Sequence, residues 1–179
     1  MRGESDYIED VGSLVKELEK SGLDPVLVGG MALVLLGSQR VTKDFDFLVS
    51  RKETAPKEAV EILYRHGFQL ISKFNDKGEA LRTIDNPNVA TSRLDLDSPD
   101  SAFFYNHDSG LKIDLLFDYP LLAEEVSGRA DKVKIRSHSF RVASVPDLIR
   151  LKEISFADRK TASDAQDLEF LRKIKLTPL

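Results

Sequence analysis

The first residues able to do chemistry are two aspartates in the run Lys43-Asp44-Phe45-Asp46-Phe47. Aspartates at i and i+2 of a strand project from one sheet face, while Phe45 and Phe47 point the other way, into a core. Two carboxylates that close raise each other's pKa unless positive charge lies between them. A divalent cation supplies that charge, and hard oxygen donors suit Mg²⁺ or Mn²⁺. Leu111-Lys112-Ile113-Asp114-Leu115-Leu116-Phe117 repeats the alternation, with Asp114 on the face opposite its apolar neighbours. If the two strands are neighbours, Asp114 joins Asp44 and Asp46. Asp95, in Arg93-Leu94-Asp95-Leu96-Asp97, is a rival third carboxylate. The longer, more apolar strand around Asp114 favours Asp114.

Upstream, Gly29-Gly30 closes an apolar run just before a helix-length segment. Glycines there let backbone N–H groups and a helix start approach a phosphate closely. Residues 31 to 43 suffice for one short helix and a return to the adjacent strand. A phosphate cradle and a carboxylate pair then meet at one edge. That combination asks for a nucleoside triphosphate with Mg²⁺, and for phosphoryl or nucleotidyl transfer.

The elements that must position these groups follow from periodicity. Ile8, Val11, Leu14, Val15 and Leu18 fall at helical spacing, and Ser21-Gly22 ends that helix. Val26-Leu27-Val28 reads as a buried strand, Met31 to Leu36 as a short helix, and Phe45 to Val49 as a strand. Pro56 to Arg65 reads as a helix and Phe68 to Phe74 as a strand. Residues 75 to 110 are polar and turn-rich, an irregular excursion with a short strand near Arg93 to Leu96. Leu111 to Phe117 is a strand, Pro120 to Val126 a helix, and Lys132 to Val142 a hairpin or two short strands. Pro146 to Phe156 and Ala162 to Lys173 are helical. This order gives an α+β fold: a core over residues 1–145 and a helical C-terminal extension, 146–179, of the same domain.

Composition narrows the function classes. At 179 residues with 41% hydrophobic content, the chain can bury a core without staples, and Cys 0 excludes disulfides, thiolate metal sites and a cysteine nucleophile. A net charge of −4 argues against binding long nucleic acids by bulk phosphate attraction. The longest apolar stretch, Val26 to Gly37, is 12 residues, too short to span a membrane, and MRGESDYIED has no signal-peptide core. A soluble, cytoplasmic protein is expected.

The segment VLVGGMALVLLGSQRVTKDFDFLVS resembles the core signature of the polymerase-β-type nucleotidyltransferase superfamily: a glycine turn, a helix, then Asp-hydrophobic-Asp. Ala32, Gly37, Arg40 and Thr42 before Asp44 are similar to the pattern of AbiEii-like toxins and related small nucleotidyltransferases. VPDLIRLKEISFADRKTASDAQDLEFL resembles that group's C-terminal helices, with Lys152, Arg159, Asp164 and Asp167 at matching places. One departure is Gly29-Gly30 where many relatives have Gly-Ser, which removes a hydroxyl that could touch phosphate.

The resemblance implies a nucleotidyltransferase-type mixed sheet flanked by helices. It implies that Asp44 and Asp46 hold Mg²⁺ (or Mn²⁺) against a nucleoside triphosphate such as ATP. By the same resemblance Asp114 would bind the metal that activates the acceptor hydroxyl, Gly29, Gly30, Arg40 and Thr42 would serve the nucleotide, and Lys152 and Arg159 would contact triphosphate or acceptor. A toxin–antitoxin or phage-defence setting, with a cognate antitoxin as partner, is implied in the same way. The acceptor, whether tRNA, protein or small molecule, is not written in the residues. Simpler readings stand beside these. Arg40 and Thr42 shape the turn into the strand, Lys152 lies along an amphipathic helix, and Asp164 and Asp167 mark a helix start capped by Thr161 or Ser163. Lys132, Lys134, Arg136 and His138 alternate along one strand face, solvated or against an RNA acceptor. A catalytically inactive nucleotide- or partner-binding relative is the alternative to an enzyme.

Overall fold

The computed structural model describes residues 4–51 and 55–176. Its elements run α1 (Glu4–Lys20), β1 (Val26–Val28), α2 (Gly29–Leu35), β2 (Asp44–Val49), α3 (Ala55–Arg65), β3 (Phe68–Phe74), β4 (Ala80–Ile84) and α4 (Pro87–Asp97). They continue β5 (Ser101–Asn106), β6 (Lys112–Phe117), α5 (Ala123–Arg129), β7 (Asp131–Ile135), β8 (His138–Val142), α6 (Val145–Arg159) and α7 (Ala162–Leu176). The strands form one mixed sheet, ordered β4-β3-β5-β6-β2-β1-β8-β7. The pairs β2–β6 and β1–β8 are parallel, and the rest are antiparallel. This is the mixed α+β architecture expected, with two helices at the C-terminal side.

The core forms where the apolar positions coincide. Val11, Leu14, Val15 and Leu18 of α1 are almost fully buried, as are Phe45 and Phe47 of β2 and Phe104 of β5. Each such side chain stabilises the fold by roughly 1.5–3 kcal/mol. Leu14→Ala, which empties one position of that stripe, would cost about 2–5 kcal/mol. Alternation along β2 and β6 sends these apolar side chains one way and leaves the aspartates on the other face.

Residues 75–110 depart from the expected irregular excursion: they hold β4, α4 and β5. Asn86-Pro87-Asn88 starts a helix instead of making a turn, because the Asn86 side chain accepts from the N–H groups of Asn88 and Val89 and Pro87 takes the first helical position. Residues 93–96 are therefore helical, not a strand. α4 packs on α3 and on edge strand β4. Strands β3, β5 and β6 lie between β4 and β2, so Asp95 is remote from Asp44 and Asp46.

Two smaller differences have local causes. Helix α2 begins at Gly29, two residues earlier than expected, with Gly29 itself at φ +68. Helix α5 begins only at Ala123, whose N–H donates to the Asp118 side chain after the Pro120 turn.

Candidate active site

Parallel pairing of β2 with β6 places Asp46 opposite Asp114, and Asp44 opposite Lys112. Asp46 and Asp114 share a side-chain hydrogen bond. Asp114 is 7% exposed, and its Oδ1 is buried without a hydrogen-bond partner. Burial, then the hydrogen bond that Asp114 donates to the Asp46 carboxylate and the charge of that carboxylate, pushes the Asp114 carboxyl up to about 9, against the pull of Lys112. Burial also raises Asp46, against its hydrogen bond with Asp114. One proton is thus held between the two acids. Asp44 is the open member, its side chain half exposed.

Gly29 makes this close approach possible. A Cβ there would lie 2.0 Å from Asp46 Oδ2, so the carboxylate occupies the space a side chain would need. Gly30 does the same for Arg40, whose guanidinium carbon would meet a Gly30 Cβ at 2.8 Å. Both glycines leave room for neighbouring side chains, a role that spacing alone does not reveal.

Helices α6 and α7 bring positive charge. Lys152 Nζ lies 3.2 Å from Asp164 Oδ1 and 2.8 Å from Asp167 Oδ2, and Arg159 Nη2 lies 3.2 Å from Asp164 Oδ1. Arg40 reaches across the chain to hydrogen-bond Asp167. Thr161 does cap the start of α7, accepting from the Asp164 N–H. The helix-start reading of Asp164 and Asp167 is nevertheless incomplete, since both acids are buried and together gather three cations. Burial pushes Asp164 up, but hydrogen bonds from Thr161 and Lys152, with the charges of Lys152 and Arg159, leave it below its ordinary 3.8. Sequence reasoning missed this grip. The available signal was an acid pair at i, i+3 following a helix that carries both a lysine and an arginine.

A pocket of about 240 Å³ joins the two halves. Asp46 and Gly29 line one side, Lys152 and Arg159 another, and Leu116, Leu148 and Leu151 form an apolar wall. Arg40 and Thr42 do not line it; they edge a separate, mostly apolar cavity of about 200 Å³ beside Tyr7, Met31 and Phe45. Thr42 accepts from the Asp44 N–H and so shapes the turn into β2. The expected basic strand face is broken. Lys132 and Lys134 lie on β7, Arg136 sits in the hairpin turn at φ +57, and His138 of β8 pairs with Glu9 of α1.

Among the described residues no group of three or more acids or histidines is already drawn together as a metal site. What the site offers is an all-oxygen donor set with a buried, unpartnered carboxylate atom and a second carboxylate hydrogen-bonded beside it. The pair brought together is Asp46 and Asp114, whose oxygens would suit a hard divalent cation, with Asp44 at the open edge beside them. No helix among the described residues is long and apolar enough to cross a membrane.

Residues 13–178 match the family described as Nucleotidyl transferase AbiEii toxin, Type IV TA system. No curated protein matches the chain. Several solved structures are similar in fold. A nucleotidyltransferase-like protein from Paracoccidioides brasiliensis is 15% identical over 96% of this chain and 77% of its own, with a TM-score of 0.63. The antibiotic-resistance factor ANT(2'')-Ia is 12% identical over 94% and 84%, with a TM-score of 0.61. The lincosamide antibiotic adenylyltransferase LnuA, lincomycin-bound, is 12% identical over 93% and 96%, with a TM-score of 0.57. At these identities the solved structures bear on the fold, while the family match spans most of the sequence. The chain belongs to the AbiEii nucleotidyl transferase toxin family of type IV toxin–antitoxin systems, and it is a nucleotidyltransferase.

Proposed function

We propose that the enzyme moves a nucleoside monophosphate from a nucleoside triphosphate, ATP among them, to a hydroxyl acceptor, with Mg²⁺ or Mn²⁺ held by Asp44, Asp46 and Asp114. The observation that carries this reading is the register of Asp46 against Asp114, with Asp46 itself facing Lys152 and Arg159 across one pocket. When bound, the metal draws charge from the triphosphate oxygens and lowers the pKa of the attacking hydroxyl.

The chain's own groups do the rest. Lys152 and Arg159 offset phosphate charge, and Asp46 orients the donor end beside Gly29. The acceptor oxygen bonds to the α-phosphorus as the bond to the bridging oxygen breaks, and pyrophosphate leaves. Asp114 takes the hydroxyl proton, and Leu116, Leu148 and Leu151 keep water from the reacting phosphorus. A cognate antitoxin is the partner that the family setting suggests.

The test is label transfer. The protein is incubated with each α-³²P nucleoside triphosphate, Mg²⁺ or Mn²⁺, and fractionated lysate, alongside the Asp44→Ala/Asp46→Ala variant. Label in an RNA, protein or small-molecule band with the wild type alone supports the reading and identifies the acceptor class. The small-molecule arm includes aminoglycosides and lincosamides, because two structural neighbours are an antibiotic-resistance factor and a lincosamide adenylyltransferase. Triphosphate binding without transfer to any fraction would instead favour the inactive relative.

A further inference from the structure

Lys112 belongs to the carboxylate cluster. It shares a sheet face with Asp114 and lies opposite Asp44 in the β2–β6 register. Its Nζ is 3.7 Å from Asp44 Oδ2, 3.8 Å from Asp114 Oδ2 and 5.6 Å over the ring of Phe103. The side chain is 22% exposed, so the ammonium is only partly shielded by water. The other cations nearby are engaged elsewhere: Lys152 by Asp164 and Asp167, and Arg40 by Asp167.

We infer that Lys112 is a positioning residue, the resident counter-ion of the three carboxylates, and that it competes with the divalent metal and so sets how tightly that metal is held. The inference rests on the metal-dependent reading above. The Lys112 ammonium offsets the negative charge of the cluster at salt-bridge distance from both Asp44 and Asp114. A metal entering the cluster must move this ammonium off the carboxylate oxygens. Phe103 gives it a nearby perch by cation–π attraction, so the positive charge remains within Coulomb range of the metal and weakens its hold. Free metal is therefore bound loosely. It is held firmly once a triphosphate adds negative charge, so that metal and nucleotide enter and leave together.

The test is Mn²⁺ titration near neutral pH, read by electron paramagnetic resonance of the free ion, on wild type, Lys112→Met, Lys112→Arg and Asp114→Asn. Each is measured with and without α,β-methylene ATP. Removing the charge while keeping the stem is expected to tighten Mn²⁺ binding without nucleotide by about 10-fold or more, given the distances to both carboxylates. Lys112→Arg is expected to stay within about 3-fold of wild type because its charge is kept. The gain in Lys112→Met should shrink when the nucleotide analogue is present. Thermal melts in EDTA and in Mn²⁺ provide a second readout. Lys112→Met should melt lower than wild type without metal and gain more from it; if it is too unstable without metal, Lys112→Gln takes its place. A folded Lys112→Met that binds Mn²⁺ no tighter than wild type, while Asp114→Asn loses binding, overturns this inference and leaves the metal-dependent reading intact. A folded wild type that binds no Mn²⁺, with or without the analogue, overturns both.

Discussion

The Asp46 carboxylate stands where a Gly29 side chain would be, its Oδ2 2.0 Å from the position of a Cβ. Gly29→Ala therefore has two effects: a left-handed φ of +68 on a residue that resists it, and a collision with a proposed metal ligand. The first costs about 1–3 kcal/mol. The second should abolish transfer even where the protein remains folded. Gly22→Ala is the matched control, since Gly22 is at φ +91 with open space around its Cβ position. Comparing melting temperature and transfer in both variants separates backbone strain from loss of the site. Full activity in folded Gly29→Ala would contradict the placement of Asp46.

Asp46→Asn and Asp114→Asn should each lower transfer by more than the ~10–100-fold that loss of an outer partner of a metal costs. Neither should lower the melting point of the metal-free protein, because each removes one of two buried acids that crowd each other. Transfer assays and calorimetric melts in EDTA check both parts. A protein with a purely scaffolding role would show the melt result without the activity loss.

The shared proton makes metal-free stability depend on pH. Unfolded, Asp114 titrates near its ordinary 3.8; folded and metal-free, it titrates near 9. Between those values the folded chain holds the extra proton, so the stability from this group is fully present below the lower value and is lost as pH rises through the upper one. Urea midpoints in EDTA should fall from about pH 6 to about pH 8.5, and Asp114→Asn should flatten that slope.

Substitution can separate the hold of Lys152 on α7 from its proposed contact with the triphosphate. Lys152→Met leaves buried Asp164 and Asp167 short of a partner and should cost about 1–3 kcal/mol. Adding Asp164→Asn should recover part of that stability without restoring triphosphate affinity. Denaturation curves and nucleotide titrations on the single and double variants measure the two effects independently. Recovery of affinity in the double variant would mean that Lys152 acts only through its hold on α7.

Strand alternation makes Asp44, Asp46 and Asp114 legible, because an acid between buried neighbours has only one face to occupy. The α4 region was opaque for the opposite reason. Only Ala90 and Leu94 are buried on that helix, and Val89 and Leu96 face solvent, so no apolar stripe marks it. The Asn86 cap was present in the sequence but indistinguishable from a turn signal. The destinations of Arg40 and Lys152 depended on tertiary contacts. Arg40 and Asp167 are 127 positions apart, and no local pattern links residues at that separation. The same holds for Lys112, which reads as an ordinary strand lysine until β5 and β2 are placed on either side of β6.

That dependence on α7 has a consequence in time. During synthesis, β2 and β6 can pair as soon as residue 117 has emerged, so the acidic half of the site can form early. Lys152 and Arg40 have no anchors until Asp164 and Asp167 follow. A nascent chain stalled before α7 would carry the carboxylates but lack the organised basic wall. A chain ending at Lys160 should fold its sheet yet bind triphosphate weakly, and adding residues through 176 should restore that binding in one step.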